Sequence, residues 1–130
     1  MRKVETNIQI RFADVDSLQH VNNVNLQHYF DLGKTDYFAK VLDLVEYTAK
    51  ESFIIASTAC QFIGQVRFSD DIYVSTQVEK IGSKSITLFQ QIICHNSGEV
   101  RAECRAVMVA FNFESQQSFP VYDAWREKMM

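Results

Sequence analysis

Polar and apolar residues alternate strictly near the start of the chain. Val4, Thr6, Ile8, Ile10 and Phe12 interleave with Glu5, Asn7, Gln9 and Arg11. A period of two predicts a strand with one buried face. A polar stretch follows over residues 14–23, and from Leu26 the period lengthens. Leu26, Tyr29, Phe30, Gly33, Tyr37, Phe38, Val41 and Leu42 recur at helical spacing on one face, with Gln27, Asp31, Lys34 and Lys40 off it. This predicts one long helix, with Asn22 or Asn23 as its N-cap. Gly33 falls on the apolar stripe, where it costs about 1 kcal/mol of helix propensity against Ala. Its presence there predicts a close approach of the helix backbone to a sheet.

Beyond the helix the pattern is mainly extended. A short helical piece is expected over residues 44–50. Residues 53–66 read as a strand with a bulge at Gly64. Ile72, Val74, Thr76 and Val78 alternate with Tyr73, Ser75, Gln77 and Glu79. Turns at 81–84 and 95–98 bracket a strand over 86–94, and a longer strand covers 100–113. Pro120 precedes a short helical tail. The order is strand, long helix, then about four strands able to pair as an antiparallel meander. A helix with one apolar stripe needs a sheet to cover it. The expected class is therefore α+β, a curved antiparallel sheet wrapped around one central helix, the hotdog architecture. On the 100–113 strand, Ala102, Cys104, Ala106 and Met108 share one face, while Val107, Val109 and Phe111 share the other. Both faces are apolar near the strand's end, so a partner subunit is expected to cover one of them.

Composition narrows the field. At 130 residues the chain fits a single domain, 1–130. A net charge of −3 with no basic stripe argues against a nucleic-acid partner. The first ten residues carry no signal-peptide apolar run, and no stretch is apolar enough to span a membrane, so cytoplasmic localisation is the default. Cys60, Cys94 and Cys104 are odd in number and lack a CxxC spacing, as expected of reduced, buried thiols. His20, His28 and His95 show no ligand spacing, and no metal is expected.

The chemistry concentrates in residues 11–23, RFADVDSLQHVNN. Two acids, a histidine and two asparagines stand before a helix N-terminus, which presents free N–H groups and a partial positive charge. A carboxylate there can attack a carbonyl or activate water, while the N–H groups hold the resulting oxyanion. An Asp before a helix is also an ordinary cap, so residue types alone leave both readings open.

RFADVDSLQHVNN followed by LQHYFDLGKTDYF resembles the 4-hydroxybenzoyl-CoA thioesterase family of hotdog proteins. FSDDIYVSTQVEKIGSKSITL also resembles that family's GDxLxVxTxVxxIGxxS segment, with Ser69 in place of the usual Gly. The resemblance implies hydrolysis of an acyl-CoA thioester to a carboxylic acid and free CoA. Coenzyme A is then part of the substrate, and no separate cofactor is needed. It makes Asp16 the nucleophile or general base and the Asn23 backbone N–H the oxyanion donor. QHVNN is similar to the active-site stretch of plant acyl-ACP thioesterases, which adds His20 as a catalytic candidate. The catalytic Asn of that pattern falls on Leu18, so the full constellation is missing. Asn22 is a positioning residue or a plain cap, and Tyr29, Phe30 and Phe62 line an acyl pocket or belong to the core. Arg67, Lys84 and Ser85 match the region that meets the nucleotide end of CoA. The resemblance further implies a homodimer or homotetramer with pockets between subunits. The alternatives are an acyl-ACP thioesterase and a protein that binds acyl thioesters without cleaving them.

Overall fold

The first strand, β1, spans Lys3–Ile8, and a 3-10 turn over Phe12–Asp14 leads to the long helix α1, Asn23–Leu42. Four strands follow: β2 (Glu51–Phe62), β3 (Ile72–Ile81), β4 (Ser85–Cys94) and β5 (Val100–Asn112). A two-residue strand, β6 (Gln117–Ser118), and a short helix, α2 (Asp123–Met129), close the chain. These elements come from a computed structural model that describes residues 1–45 and 48–130. The helical piece expected over 44–50 falls across residues 46 and 47, which lie outside the described residues.

The strands form one antiparallel sheet in the order β1-β3-β4-β5-β2, with β6 pairing β5. The curved sheet around α1 is the hotdog architecture. The meander holds for β3, β4 and β5 only. β2 crosses to the far edge and pairs with β5, so β1 and β2 are the two edges. One further expectation is corrected, and another holds only in part. β1 ends at Ile8, because the backbone turns where Asp14 N–H donates to the Arg11 carbonyl (2.9 Å), leaving Phe12 87% exposed. The register shift in β2 falls between Ile55 and Ser57. At Gly64 a bulge-like pattern does occur just past the strand, where Ile63 and Gly64 both donate to the Arg101 carbonyl.

The eight positions of the apolar stripe on α1 are all buried. Its second half packs Tyr37, Phe38, Val41 and Leu42 against Val78, Leu88 and Met108. Its first half packs Leu26, Tyr29 and Phe30 against Ile8, Val74 and Ile92. Gly33 sits between the two clusters. A Cβ there would lie 2.6 Å from Val74 Cγ1 and 2.9 Å from Gln90 Nε2, which accounts for the glycine. Below it a row of residues crosses the sheet in register: Thr76, Gln90, Cys104 and Cys60. Gln90 donates to the Phe30 carbonyl (2.9 Å) and to Thr76 Oγ1 (3.0 Å), tying helix to sheet. Lys34, which the pattern leaves off the stripe, is nevertheless buried at 5% exposure. It borders two clefts that Ile55 of β2 also lines, so the edge strand flanks the helix on this side.

Candidate active site

The 14–23 segment is a folded turn. Val15 bridges Val21, the Asp16 N–H donates to the His20 carbonyl (3.0 Å), and the Gln19 N–H donates to the Asp16 carbonyl (3.0 Å). Gln19 closes the turn at φ 69°, in the left-handed region. A second anchor comes from across the fold, since Val21 N–H donates to the Val66 carbonyl (2.8 Å) and His20 bridges Arg67. The turn is therefore held at both ends, and its acidic residue is fixed rather than trailing in solvent.

Asp16 is half-buried at the base of the turn. Its Oδ1 accepts from the Leu18 N–H (2.9 Å) and, more weakly, from the His20 N–H (3.4 Å). Those bonds orient the carboxylate, and no partner for Oδ2 is found among the described residues. The His20 side chain likewise has no hydrogen bond among them, and it is half-buried two positions before the helix cap.

Asn22 is the N-cap of α1; its Oδ1 accepts from the Asn25 N–H (3.0 Å). Asn23 and Val24 supply the next exposed backbone, and no acceptor for the Asn23 N–H is found among the described residues. This is the ordinary condition of a first-turn N–H, and it makes the helix start a ready anion site.

Asp14 behaves quite differently from Asp16. It is 1% exposed and saturated with partners. Its Oδ1 meets Arg11 Nη2 at 2.8 Å and Nε at 3.1 Å; its Oδ2 accepts from the Arg11 N–H at 3.1 Å and from the Tyr29 hydroxyl at 2.6 Å. The Asp14 carbonyl accepts from Asn25 Nδ2 (3.2 Å). Burial works to raise the pKa of this carboxyl, but the hydrogen bonds from Tyr29 and Arg11 outweigh it and hold the group below its usual range. Burial and the Asp14 carboxylate in turn push the Tyr29 hydroxyl up. Asp14 thus braces the turn against α1. Tyr29, a candidate for substrate contact, is buried and has its hydroxyl engaged in that brace.

Arg67 lies beside the turn and is exposed. It borders a polar cavity with Gly64, Gln65, Asp70, Glu99 and Arg101. Lys84 and Ser85 lie elsewhere. They sit at the β3–β4 turn, where Gly82 N–H donates to the Ser85 carbonyl (2.7 Å) and Arg126 of α2 donates to the Gly82 and Ser83 carbonyls. The start of β3 is beside Ile8 and the active-site turn, so Lys84 lies a full strand away, about 30 Å at roughly 3.3 Å per residue. One chain therefore joins Asp16, His20, Asn22, Asn23 and Arg67, and it does not bring Lys84 and Ser85 to them. The Tyr29 half of the brace carries no local sequence signal. It links residues 15 positions apart, through a side chain that the helical pattern marks only as apolar.

A model of the thioesterase-like superfamily matches residues 10–129. The long-chain acyl-CoA thioesterase FadM of Escherichia coli (strain K12) is 23% identical over 97% of this chain and 96% of its own length. A predicted thioesterase from Bacillus stearothermophilus superposes with a TM-score of 0.85 at 28% identity, covering 98% of this chain and 94% of that one. A thioesterase from Thermus thermophilus, complexed with coenzyme A and zinc, shares the fold, with a TM-score of 0.83 at 23% identity over 96% and 95% of the two chains. The chain belongs to the thioesterase-like superfamily, and the enzyme class it enters is that of thioester hydrolases.

Proposed function

We propose that this protein hydrolyses acyl-CoA thioesters to a carboxylic acid and free CoA, with Asp16 as its catalytic carboxylate. The observation that carries the reading is the pairing of a fixed carboxylate, with one oxygen unpartnered among the described residues, and the open N-terminus of α1 a few residues on. The thioester carbonyl sits at the helix start, and the Asn23 N–H stabilises the oxyanion as the carbonyl carbon becomes tetrahedral. Asp16 Oδ2 either attacks that carbon, giving an anhydride that water then opens, or takes a proton from the attacking water. Both routes expel the CoA thiolate and add one water overall. The His20 ring, which has no hydrogen bond among the described residues, orients the water or protonates the leaving sulfur.

The reading includes a second copy of the chain. The middle of β2, an edge strand, is exposed from Ile54 through Ala59, and an open edge of this length is a pairing template. A homodimer formed there lets Lys84 and Ser85 of one protomer serve the site of the other, toward the CoA nucleotide. The QHVNN likeness favours a second reading, in which the acyl group arrives on a carrier protein. Turnover of one acyl group on CoA and on carrier protein separates the two.

The decisive variant is Asp16→Asn, which keeps the size of the side chain and removes both nucleophile and base. kcat is expected to fall by at least ~10²-fold, the lower end of what a positioned acid–base group contributes. That corresponds to roughly 2.7 kcal/mol of barrier. A folded Asp16→Asn enzyme that retains most of its activity on a thioester panel removes Asp16 from the mechanism. No turnover of any acyl-CoA or acyl-carrier thioester by the wild type leaves a binding protein instead.

A further inference from the structure

Lys34 has no part in the chemistry above, yet its setting is unusual for a lysine. It is 5% exposed, and lysine is almost never that buried unless it is well paired. Its pairing is poor. Among the described residues the ammonium has one hydrogen bond, to Asp31 Oδ1 at 3.3 Å, long for a charge-assisted contact. The Asp31 side chain is 58% exposed, so water competes for it. A lysine carries three N–H donors, and two are left over.

The same lysine lines a cavity of about 190 Å³ between α1 and β2, together with Phe30, Asp31, Ile55, Cys60 and Cys104. The cavity has an apolar side in Phe30 and Ile55. Its sulfur-lined floor is the end of the row that crosses the sheet beneath Gly33. It also has a fixed relation to the reaction site. Asn23, Gln27, Asp31 and Lys34 are spaced by four, four and three residues, which places them on one face of α1. Gln27 lines the cavity as well. From Asn23 to Lys34 the helix rises about 16 Å at ~1.5 Å per residue. Helical side chains lean back toward the N-terminus, which shortens the reach from the Lys34 ammonium to the helix start.

We propose that this cavity receives the distal end of the acyl group, and that Lys34 selects acyl groups ending in a carboxylate. The inference rests on the thioesterase reading, since the thioester carbonyl is what sits at the Asn23 end of the face. The apolar wall takes the chain, and the two spare ammonium donors take the terminal oxygens. Asp31 holds Lys34 in the free enzyme from the solvent side and gives way to the substrate's carboxylate, with which it would otherwise compete.

Calorimetry with two thioether analogues of a medium-chain acyl-CoA tests this without any hydrolysis. The two are identical except that one chain ends in a methyl and the other in a carboxylate. The wild type is expected to bind the carboxylate-ended analogue about tenfold or more tightly than the methyl-ended one, as befits a desolvated charge-assisted contact. Lys34→Met keeps the length and apolar stem of the side chain and should abolish or reverse the ratio. Asp31→Asn removes the competing carboxylate and should increase it. Equal affinities in the wild type, or an undiminished ratio in Lys34→Met, overturn the inference and leave Asp16 untouched. Failure of both analogues to bind overturns the acyl-CoA reading as well. Discrimination by the analogues without turnover of the matching thioesters sinks the hydrolase reading and keeps the cavity's assignment.

Discussion

Asp14→Asn separates the brace of the active-site turn from its chemistry. The substitution keeps one acceptor oxygen and removes the charge. The contact that matters is the Tyr29 hydroxyl at 2.6 Å, buried on both sides. A hydrogen bond to a charged group contributes about 1.5–3 kcal/mol net, against about 1 kcal/mol for a neutral one, so demoting it costs about 1–2 kcal/mol. The Arg11 guanidinium sits on an exposed side chain where solvent screens the pair, and it adds nothing to that figure. For a domain of this size the loss lowers Tm by about 3–7 °C. The pH dependence has a definite sign. The Asp14 carboxyl is held below its usual value in the fold, so its stabilisation is fully present above the unfolded pKa, about 3.9. It is lost as pH falls through the depressed folded value. Thermal melts of the wild type and Asp14→Asn should therefore differ by the same gap at pH 7 and pH 5, with the gap narrowing only in stronger acid. In the same preparation kcat should stay within about tenfold of wild type, since no proton moves through Asp14. Equal melting at pH 7 refutes the brace. A gap that widens on acidification refutes the sign. A stable but inactive Asp14→Asn enzyme, beside an active Asp16→Asn, moves the catalytic carboxylate by two residues.

Gly33→Ala sets a helix-propensity gain of about 1 kcal/mol against overpacking of about 1–3 kcal/mol and loss of the Gln90–Phe30 bond, about 1 kcal/mol. A Cβ placed 2.6 Å from Val74 Cγ1 should make the net effect a loss of about 1–3 kcal/mol, and a raised Tm would show that the helix can lift off the sheet at little cost. Multi-angle light scattering at micromolar concentration should give twice the 15.0 kDa chain mass or more, and a stable monomer would leave Lys84 and Ser85 with no site to join.

The long helix and its buried face were legible because one apolar stripe runs through five turns without interruption. Gly33 was legible for a related reason. An expensive residue in the middle of a good helix has to be offset by something, and here it is the close approach of β3 and β4. What the pattern misjudged was pairing. Alternation says that a segment is extended, and it carries no address for its neighbour. β2 and β3 are consecutive extended segments with a short loop region between them, so a meander is the natural reading. Only the packed fold shows β2 across the sheet beside β5. Lys34 was misplaced for the same reason. Helical periodicity gives the face toward the sheet, while the flank covered by an edge strand depends on where that strand goes.

The active-site turn divides along the same line. Asp16, His20, Asn22 and Asn23 are neighbours in the chain, and a local motif suffices to bring them together. The contacts that hold the turn are distant: Tyr29 reaches Asp14 from α1, while Val66 and Arg67 clamp Val21 and His20 from the segment after β2. Distant contacts also distinguish the two acids. The Asp14 carboxylate is taken up by Arg11 and Tyr29, whereas Asp16 accepts only backbone N–H groups and has one oxygen unpartnered among the described residues. The sequence spacing D-x-D cannot say which is which, because both acids flank the same small hydrophobe, Val15. The burial of Asp14 and the half-exposure of Asp16 set them apart, and the Tyr29 hydroxyl, reaching back from the second turn of the helix, is one of the contacts that hold Asp14 in place.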